Sequence, residues 1–299
     1  MISSISMTLV RITGRTIFNP DTRKYWDHSY IASHSIYANI RDRQGRIKNK
    51  SGKNFLGQHF YNIHPDGITG PTIIFYHGSS GNYELYNTIY YISELLGFNL
   101  FMGEYEGYGK NYHTGVDYWS GVTKQSLEIY DHVTSIVPKE NIILWGLSLG
   151  GTAVTYVSHL RPHNHPTIIS FSFSSIADIL KSRNPILLGY ERGFTGWIPS
   201  YKWARSITAP YLQIHSPNDK YVTYDSAKIL YSNVPSRDKT WLNIDGGHTT
   251  PIVSPQVAEK LILFLWRFFP NQSDRENLEN LALQASNIFT NNTSSFQNK

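Results

Sequence analysis

Asn141-Ile142-Ile143-Leu144-Trp145-Gly146-Leu147-Ser148-Leu149-Gly150-Gly151 is the stretch on which the reading of this chain turns. Asn141 to Trp145 is a short apolar run, the pattern of a strand buried on both faces. Leu149 to Leu160, which follows, reads as a helix. Between them Gly146-Leu147-Ser148-Leu149-Gly150 matches G-x-S-x-G at a strand-to-helix junction. The chemistry accounts for the spacing. A serine hydroxyl becomes a nucleophile when it projects alone at a sharp turn where a base can reach it. Such a turn strains the serine backbone and brings neighbouring chain close, so both flanks need glycine. The N-terminus of the following helix also favours negative charge that develops beside it. The pentapeptide by itself is common; its setting between a buried strand and a helix makes it specific.

The same alternation extends outward. Thr72 to Tyr76 predicts a strand ending in His77-Gly78. Tyr83 to Leu96 predicts a helix, with Leu85, Ile89, Ile92 and Leu96 on one face, Asn82 as its cap and Gly97 at its end. Asn99 to Met102 predicts a strand, and Leu127, Tyr130 and Val133 mark a helix that ends near Pro138. Thr167 to Phe173, Pro210 to His215 and Thr240 to Ile244 are further strands. Ser254-Pro255 opens a last helix carrying Val257, Leu261, Phe264, Leu265 and Phe268 in register. Short apolar strands alternating with amphipathic helices imply an α/β architecture, a mainly parallel sheet with helices on both faces. Ahead of it, residues 1–69 read as strands and turns. A hairpin is predicted within Ile36–Lys48, turning at Arg43-Gln44-Gly45, and a further strand at Gln58–Ile63 is stopped by His64-Pro65-Asp66-Gly67. Residues 70–270 form the core of this reading, and 271–299 a polar tail expected to be flexible.

In such sheets ligands bind beyond the carboxyl ends of the strands, so reactive residues are sought there. A serine nucleophile needs a histidine base oriented by a carboxylate. Of 12 histidines, His248 is the candidate base, because Asp245-Gly246-Gly247-His248 follows a strand and its glycines let the loop turn the imidazole toward the serine. His77 also ends a strand, but beside Gly78 its plainer role is to shape the loop. Asp219, in Ser216-Pro217-Asn218-Asp219 after Pro210–His215, is the candidate acid. Asp178 is its rival; Asp225 and Asp245 are weaker alternatives, Asp245 being close enough to His248 in sequence to serve the loop instead.

The order Ser148, Asp219, His248 resembles that of the α/β-hydrolase superfamily. The resemblance covers roughly residues 70 to 270. It rests on His77-Gly78-Ser79-Ser80-Gly81-Asn82, the Ser148 turn, His215 to Val222, and Gly246-Gly247-His248. It implies an α/β-hydrolase fold and an oxyanion hole made by the backbone N–H groups of Leu149 and Ser79. Within the superfamily the chain looks most like the abhydrolase-domain, serine aminopeptidase-like and monoacylglycerol-lipase-like group. Members often carry His-Gly-Asn-x-Gly-Asn and Asp-Tyr-Arg-Gly-Tyr-Gly. Here Ser79 replaces that Asn, Glu104-Tyr105-Glu106 replaces Asp-Tyr-Arg, and Ser216 stands where relatives often have glycine. Residues 176–208, with Trp197 and Trp203, are the room for a short cap over the site.

Composition removes other classes. There are no cysteines, which excludes disulfides, thiolate metal sites and a cysteine nucleophile. No metal or organic cofactor is expected. No apolar run approaches the ~18 residues of a membrane span, and the N-terminus lacks the apolar core of a secretory signal, so a cytoplasmic location is expected. The net charge is +5, part of it concentrated in Arg41, Arg43, Arg46, Lys48, Lys50 and Lys53. The plain reading of that stretch is a solvated hairpin; the sharper one is weak peripheral contact with an anionic lipid surface. No motif supports nucleic-acid binding, and nothing indicates an oligomeric state. The expected function is that of a serine hydrolase acting on carboxylic esters or thioesters of a small-molecule or acyl substrate, through an acyl-enzyme. A peptidase or amidase with the same residues, and a non-catalytic binding protein on this scaffold, are the alternatives. Ser148 disfavours the dehalogenases and epoxide hydrolases of the fold, which use aspartate.

Overall fold

Among the described residues eight strands assemble into one sheet whose centre is almost entirely apolar, and Asn19–Pro20 pairs in parallel with Ser80–Gly81 as a separate two-stranded sheet. In the computed structural model, residues 19–20, 41–48, 54–63, 69–81, 86–108, 118–183, 198–248 and 255–268 are described. The strands are β1 (Arg41–Lys48), β2 (Asn54–Ile63), β3 (Thr72–Tyr76), β4 (Asn99–Gly103), β5 (Ile142–Leu147), β6 (Thr167–Ser170), β7 (Tyr211–His215) and β8 (Lys239–Asn243). Their order across the sheet is β8-β7-β6-β5-β3-β4-β2-β1. The six strands from β8 to β4 pair in parallel, and β2 and β1 add an antiparallel edge.

Alternate side chains of each central strand enter separate cores. Ile73, Phe75, Ile143, Trp145, Leu212 and Ile214 pack on one face with α1 (Asn87–Leu96) and α7 (Pro255–Trp266). Ile74, Tyr76, Ile142, Leu144 and Tyr211 pack on the other with α2 (Tyr118–Ile136) and α3 (Leu149–Leu160). Both faces are covered, which is why these strands read as continuous apolar runs. Trp145 is 0% exposed and its indole N–H donates to Ser170 Oγ at 3.1 Å. Truncation of such a side chain to alanine costs about 3–5 kcal/mol.

Three sequence expectations need correction. The chain does not turn at Arg43-Gln44-Gly45: β1 runs through them, paired with Tyr61, Phe60 and His59 of β2. The hairpin joins β1 to β2, so its connection falls in 49–53, outside the described residues. Antiparallel pairing along a ten-residue partner strand outweighs the local turn tendency of Gln-Gly. Helix α1 runs from Asn87 and leaves out Tyr86, whose hydroxyl meets Gly78 and Ser80 in the loop after β3; residues 83–85 lie outside the described residues. Its end is as expected: Gly97 has φ 67° and Phe98 N–H donates to Ser93 O at 2.8 Å, closing a Schellman turn. Strand β6 stops at Ser170, because Phe171 takes φ 52°.

Helices α4 (Ile176–Arg183), α5 (Ser200–Trp203) and α6 (Tyr224–Asn233) complete the layer on the α3 face. The central part of the expected cap, 184–197, lies outside the described residues, as do Asn82, His64–Gly67, Ser254 and the tail 271–299. Among the described residues no helix is long and apolar enough to cross a membrane.

Candidate active site

Strand order puts the site between the carboxyl ends of β3 and β5. From β3 the chain moves outward to β4, then crosses back over β3 to β5. Neighbouring connections diverge at that point and leave a crevice. Ser148 leaves β5 on one side of it and His77-Gly78 leaves β3 on the other.

Ser148 is the N-cap of α3 with φ 51° and ψ −112°. A non-glycine residue in such a region costs on the order of 1–3 kcal/mol and persists only where its surroundings enforce it. Here they do. A Cβ on Gly146 would overlap the Gly150 carbonyl, one on Gly150 would overlap the Tyr76 carbonyl, and one on Gly151 would overlap Ser172. Gly146 and Gly150 let β5, β3 and the start of α3 pack backbone against backbone, and Gly151 makes room for the Ser172 side chain. Ser148 N–H donates to Ser170 O at 2.8 Å, and Ser148 O accepts from Ser172 Oγ at 2.7 Å. The hydroxyl is thereby left at the turn with 7% of the residue exposed.

His248 spans the gap to the next two loops. Its Nε2 lies 3.1 Å from Ser148 Oγ and its Nδ1 lies 2.8 Å from Asp219 Oδ2. The carboxylate fixes the tautomer: Nδ1–H donates to Asp219, which leaves the Nε2 lone pair facing the hydroxyl. Asp219 is fully buried, and its Oδ1 accepts from the amides of Tyr221 at 2.8 Å and Val222 at 2.9 Å. Burial pushes this carboxyl up, but the hydrogen bond and charge of His248, with the two amides, outweigh it and hold it below the usual aspartate range. Edge-on Phe171 at 6.0 Å and tilted Tyr221 at 5.5 Å flank the imidazole.

The other carboxylates lie elsewhere. Asp178 Oδ2 accepts from the hydroxyls of Ser174 and Ser226, which ties the start of α4 to α6. Asp225 is exposed on α6, 3.7 Å from Lys228, and Asp245 is exposed before the glycines. Gly246 has φ 109°, so the loop needs glycine there, whereas Gly247 faces open space.

Two residues that drew no role from sequence support this arrangement. Ser216 Oγ donates to the Gly246 carbonyl and accepts from Asn218 N–H, which joins the acid loop to the base loop. His215 is buried behind Asp219. Its Nε2–H donates to the Val222 carbonyl at 3.0 Å and its Nδ1 meets no partner among the described residues. Burial holds its pKa below the usual histidine range, so it stays neutral. Histidine at the end of β7, directly before the acid loop, was the one available signal.

Across the crevice, His77 Nε2 contacts Glu104 Oε1 at 2.9 Å and its ring packs on Tyr105 at 4.3 Å. Leu149 is the first residue of α3, so its N–H is one of the helix's unpaired first-turn donors. Ser79 lies in the loop after β3, where its carbonyl accepts from Tyr108 Oη. Among the described residues no group of three His, Cys, Asp or Glu side chains is arranged to hold a metal ion.

The esterase Pf2001 of Pyrococcus furiosus superposes with a TM-score of 0.64 at 14% identity, over 84% of this chain and 97% of the other. The chain has the α/β-hydrolase fold. No family model matches it. In sequence the chain is similar to the uncharacterized protein YfhR of Escherichia coli K12, 27% identical over 194 residues, which cover 60% of this chain and 66% of YfhR. It is also similar to the lysophosphatidylserine lipase ABHD12 of Rattus norvegicus, 26% identical over 190 residues, or 56% of this chain and 46% of ABHD12. The match thus spans about two thirds of one relative and less than half of the other.

Proposed function

We propose that this chain is a serine hydrolase that cleaves carboxylic ester or thioester bonds through an acyl-enzyme. The observation that carries the reading is the unbroken hydrogen-bonded line from Ser148 Oγ through both nitrogens of His248 to buried Asp219, beginning at a left-handed turn. In this mechanism Ser148 Oγ attacks the carbonyl carbon while His248 Nε2 takes its proton. Asp219 holds the tautomer and stabilises the imidazolium. The oxyanion is received by the N–H groups of Leu149 and Ser79, each such donor being worth about 3 kcal/mol of barrier. His248 then returns its proton to the leaving oxygen or sulfur. Water, activated by the same imidazole, releases the acyl group from Ser148. No step calls for a metal or organic cofactor.

Similarity to a lysophosphatidylserine lipase and to an esterase supports esters over other acyl compounds, and a lipid-like acyl ester as the substrate class. The abhydrolase-domain group is the subgroup this favours. The test is a tagged fluorophosphonate probe on wild-type protein and on S148A, followed by p-nitrophenyl esters of increasing acyl length. Labelling of wild type alone, with ester turnover, is the expected result. Absence of labelling in both ends the proposal, and labelling with turnover of aminoacyl anilides alone replaces esterase by amidase.

A further inference from the structure

Four consecutive carbonyls in the loop after β3 each accept a side-chain hydrogen bond. The His77 carbonyl accepts from Tyr105 Oη at 3.0 Å, the Gly78 carbonyl from His77 Nδ1 at 2.7 Å, the Ser79 carbonyl from Tyr108 Oη at 3.2 Å, and the Ser80 carbonyl from Tyr86 Oη at 3.2 Å. Burial pushes the Tyr86 and Tyr105 hydroxyls well above the ordinary tyrosine range, so both remain donors. The loop lies against the nucleophile: a Cβ on Gly78 would sit 3.6 Å from Ser148 Cβ.

Peptide units are planar, with C=O and N–H on opposite sides. The unit joining His77 to Gly78 is engaged at both ends, because Gly78 N–H donates to Tyr86 Oη at 3.2 Å. That amide has no proton to offer a substrate. The next unit, joining Gly78 to Ser79, has its carbonyl held by His77 Nδ1–H, and its N–H therefore points the other way. The imidazole is held in turn through Nε2 by Glu104 Oε1 at 2.9 Å, with side-chain exposures of 1% and 0%. Glu104 directly follows Gly103, which pairs with Tyr76 across β3 and β4. A buried ionisable pair like this contributes little net stability, since desolvation offsets its attraction.

We propose that Glu104 and His77 are positioning residues for the oxyanion. Glu104 orients the imidazole, the imidazole fixes the Gly78–Ser79 peptide plane, and the plane presents Ser79 N–H to the charge that forms at Ser148. The proposal rests on the serine-hydrolase reading; neither side chain touches substrate. It also gives the longer acid at 104 a task, since that acid must reach across from β4 to the ring on β3.

The experiment compares wild type, E104A, E104Q and the double variant H77L/E104L. The readouts are fluorophosphonate titration of Ser148, kcat and KM on a p-nitrophenyl ester, and affinity for an alkyl boronic acid, whose tetrahedral adduct occupies the oxyanion position. In E104A, kcat and boronate affinity are expected to fall together by about 100-fold, with KM little changed. E104Q, whose amide can still bond Nε2, is expected to recover most of that loss. The double variant replaces the buried pair with apolar side chains of similar size, so it folds even if E104A does not, and it shows the same loss. Wild-type kcat in the double variant overturns the proposal, as does a kcat loss with boronate affinity unchanged. Failure of wild type itself to label or turn over ester overturns the hydrolase reading instead.

Discussion

Helix α3 carries two serine–histidine hydrogen bonds, one at each end, and they are wired in opposite senses. At its start, His248 donates Nδ1–H to Asp219 and turns a bare Nε2 to Ser148. In its last turn, Ser158 Oγ lies 2.9 Å from His163 Nε2, but His163 Nδ1 accepts from the His165 amide at 3.1 Å. The proton of His163 is therefore on Nε2, donated to Ser158, whose own proton goes to the Val154 carbonyl. His163 cannot take a proton from that serine. Among the described residues no carboxylate backs it; it stacks on His165 at 4.5 Å, and Tyr130 Oη bonds His165 Nε2. Burial, then repulsion from His165, lowers the pKa of His163 to about 3, and burial lowers that of His165 to about 4. A serine beside a histidine is thus not yet a nucleophile. The partner of the second nitrogen, a carboxylate at His248 and a backbone amide at His163, decides which nitrogen keeps the proton.

The comparison can be broken at several points. S148A is expected to reduce ester turnover by about 10⁶-fold, whereas S158A leaves it unchanged and lowers stability by about 1 kcal/mol; steady-state rates and melting curves check both. D219N removes the feature that separates the two pairs. It frees the His248 tautomer and should reduce kcat by about 10⁴-fold, read on the same ester.

Acid stability sharpens the contrast at the other end. The folded pKa values of His163 and His165 lie below the ordinary 6.5, so between 6.5 and about 3 to 4 the unfolded chain binds more protons. Stability must fall as pH drops through that window and level off above it. Asp219 adds a separate loss, beginning only below its ordinary 3.8, because its folded pKa is depressed. Replacing both histidines with glutamine should flatten the decline in melting temperature between pH 6.5 and 4.5 without moving the ester pH profile. G246A is expected to act on stability on the scale of S158A rather than of S148A. A Cβ at φ 109° is strained, so the base loop should lose about 1–2 kcal/mol, measured by urea denaturation.

Part of this was legible in sequence because it is local. Strand β5, the turn at Ser148 and helix α3 follow one another without a break, so apolar run, glycine spacing and helix were read together. Helix α1 follows its apolar periodicity but leaves out Tyr86, since the tie of Tyr86 to the loop after β3 has no signature in helical spacing. Arg43-Gln44-Gly45 carries a local turn signal, and its paired strand lies beyond the window that local chemistry senses.

What the sequence determined alone was the order of strands and helices and the serine at the sharp bend, since both follow from neighbours along the chain. Tertiary structure brought Asp219 rather than Asp178 to His248, oriented the imidazole, and joined Glu104 to His77. Those contacts link residues 29, 100 and 27 positions apart. Hydrogen bonds of a few ångströms at such separations exist only once sheet order has brought the strand ends together.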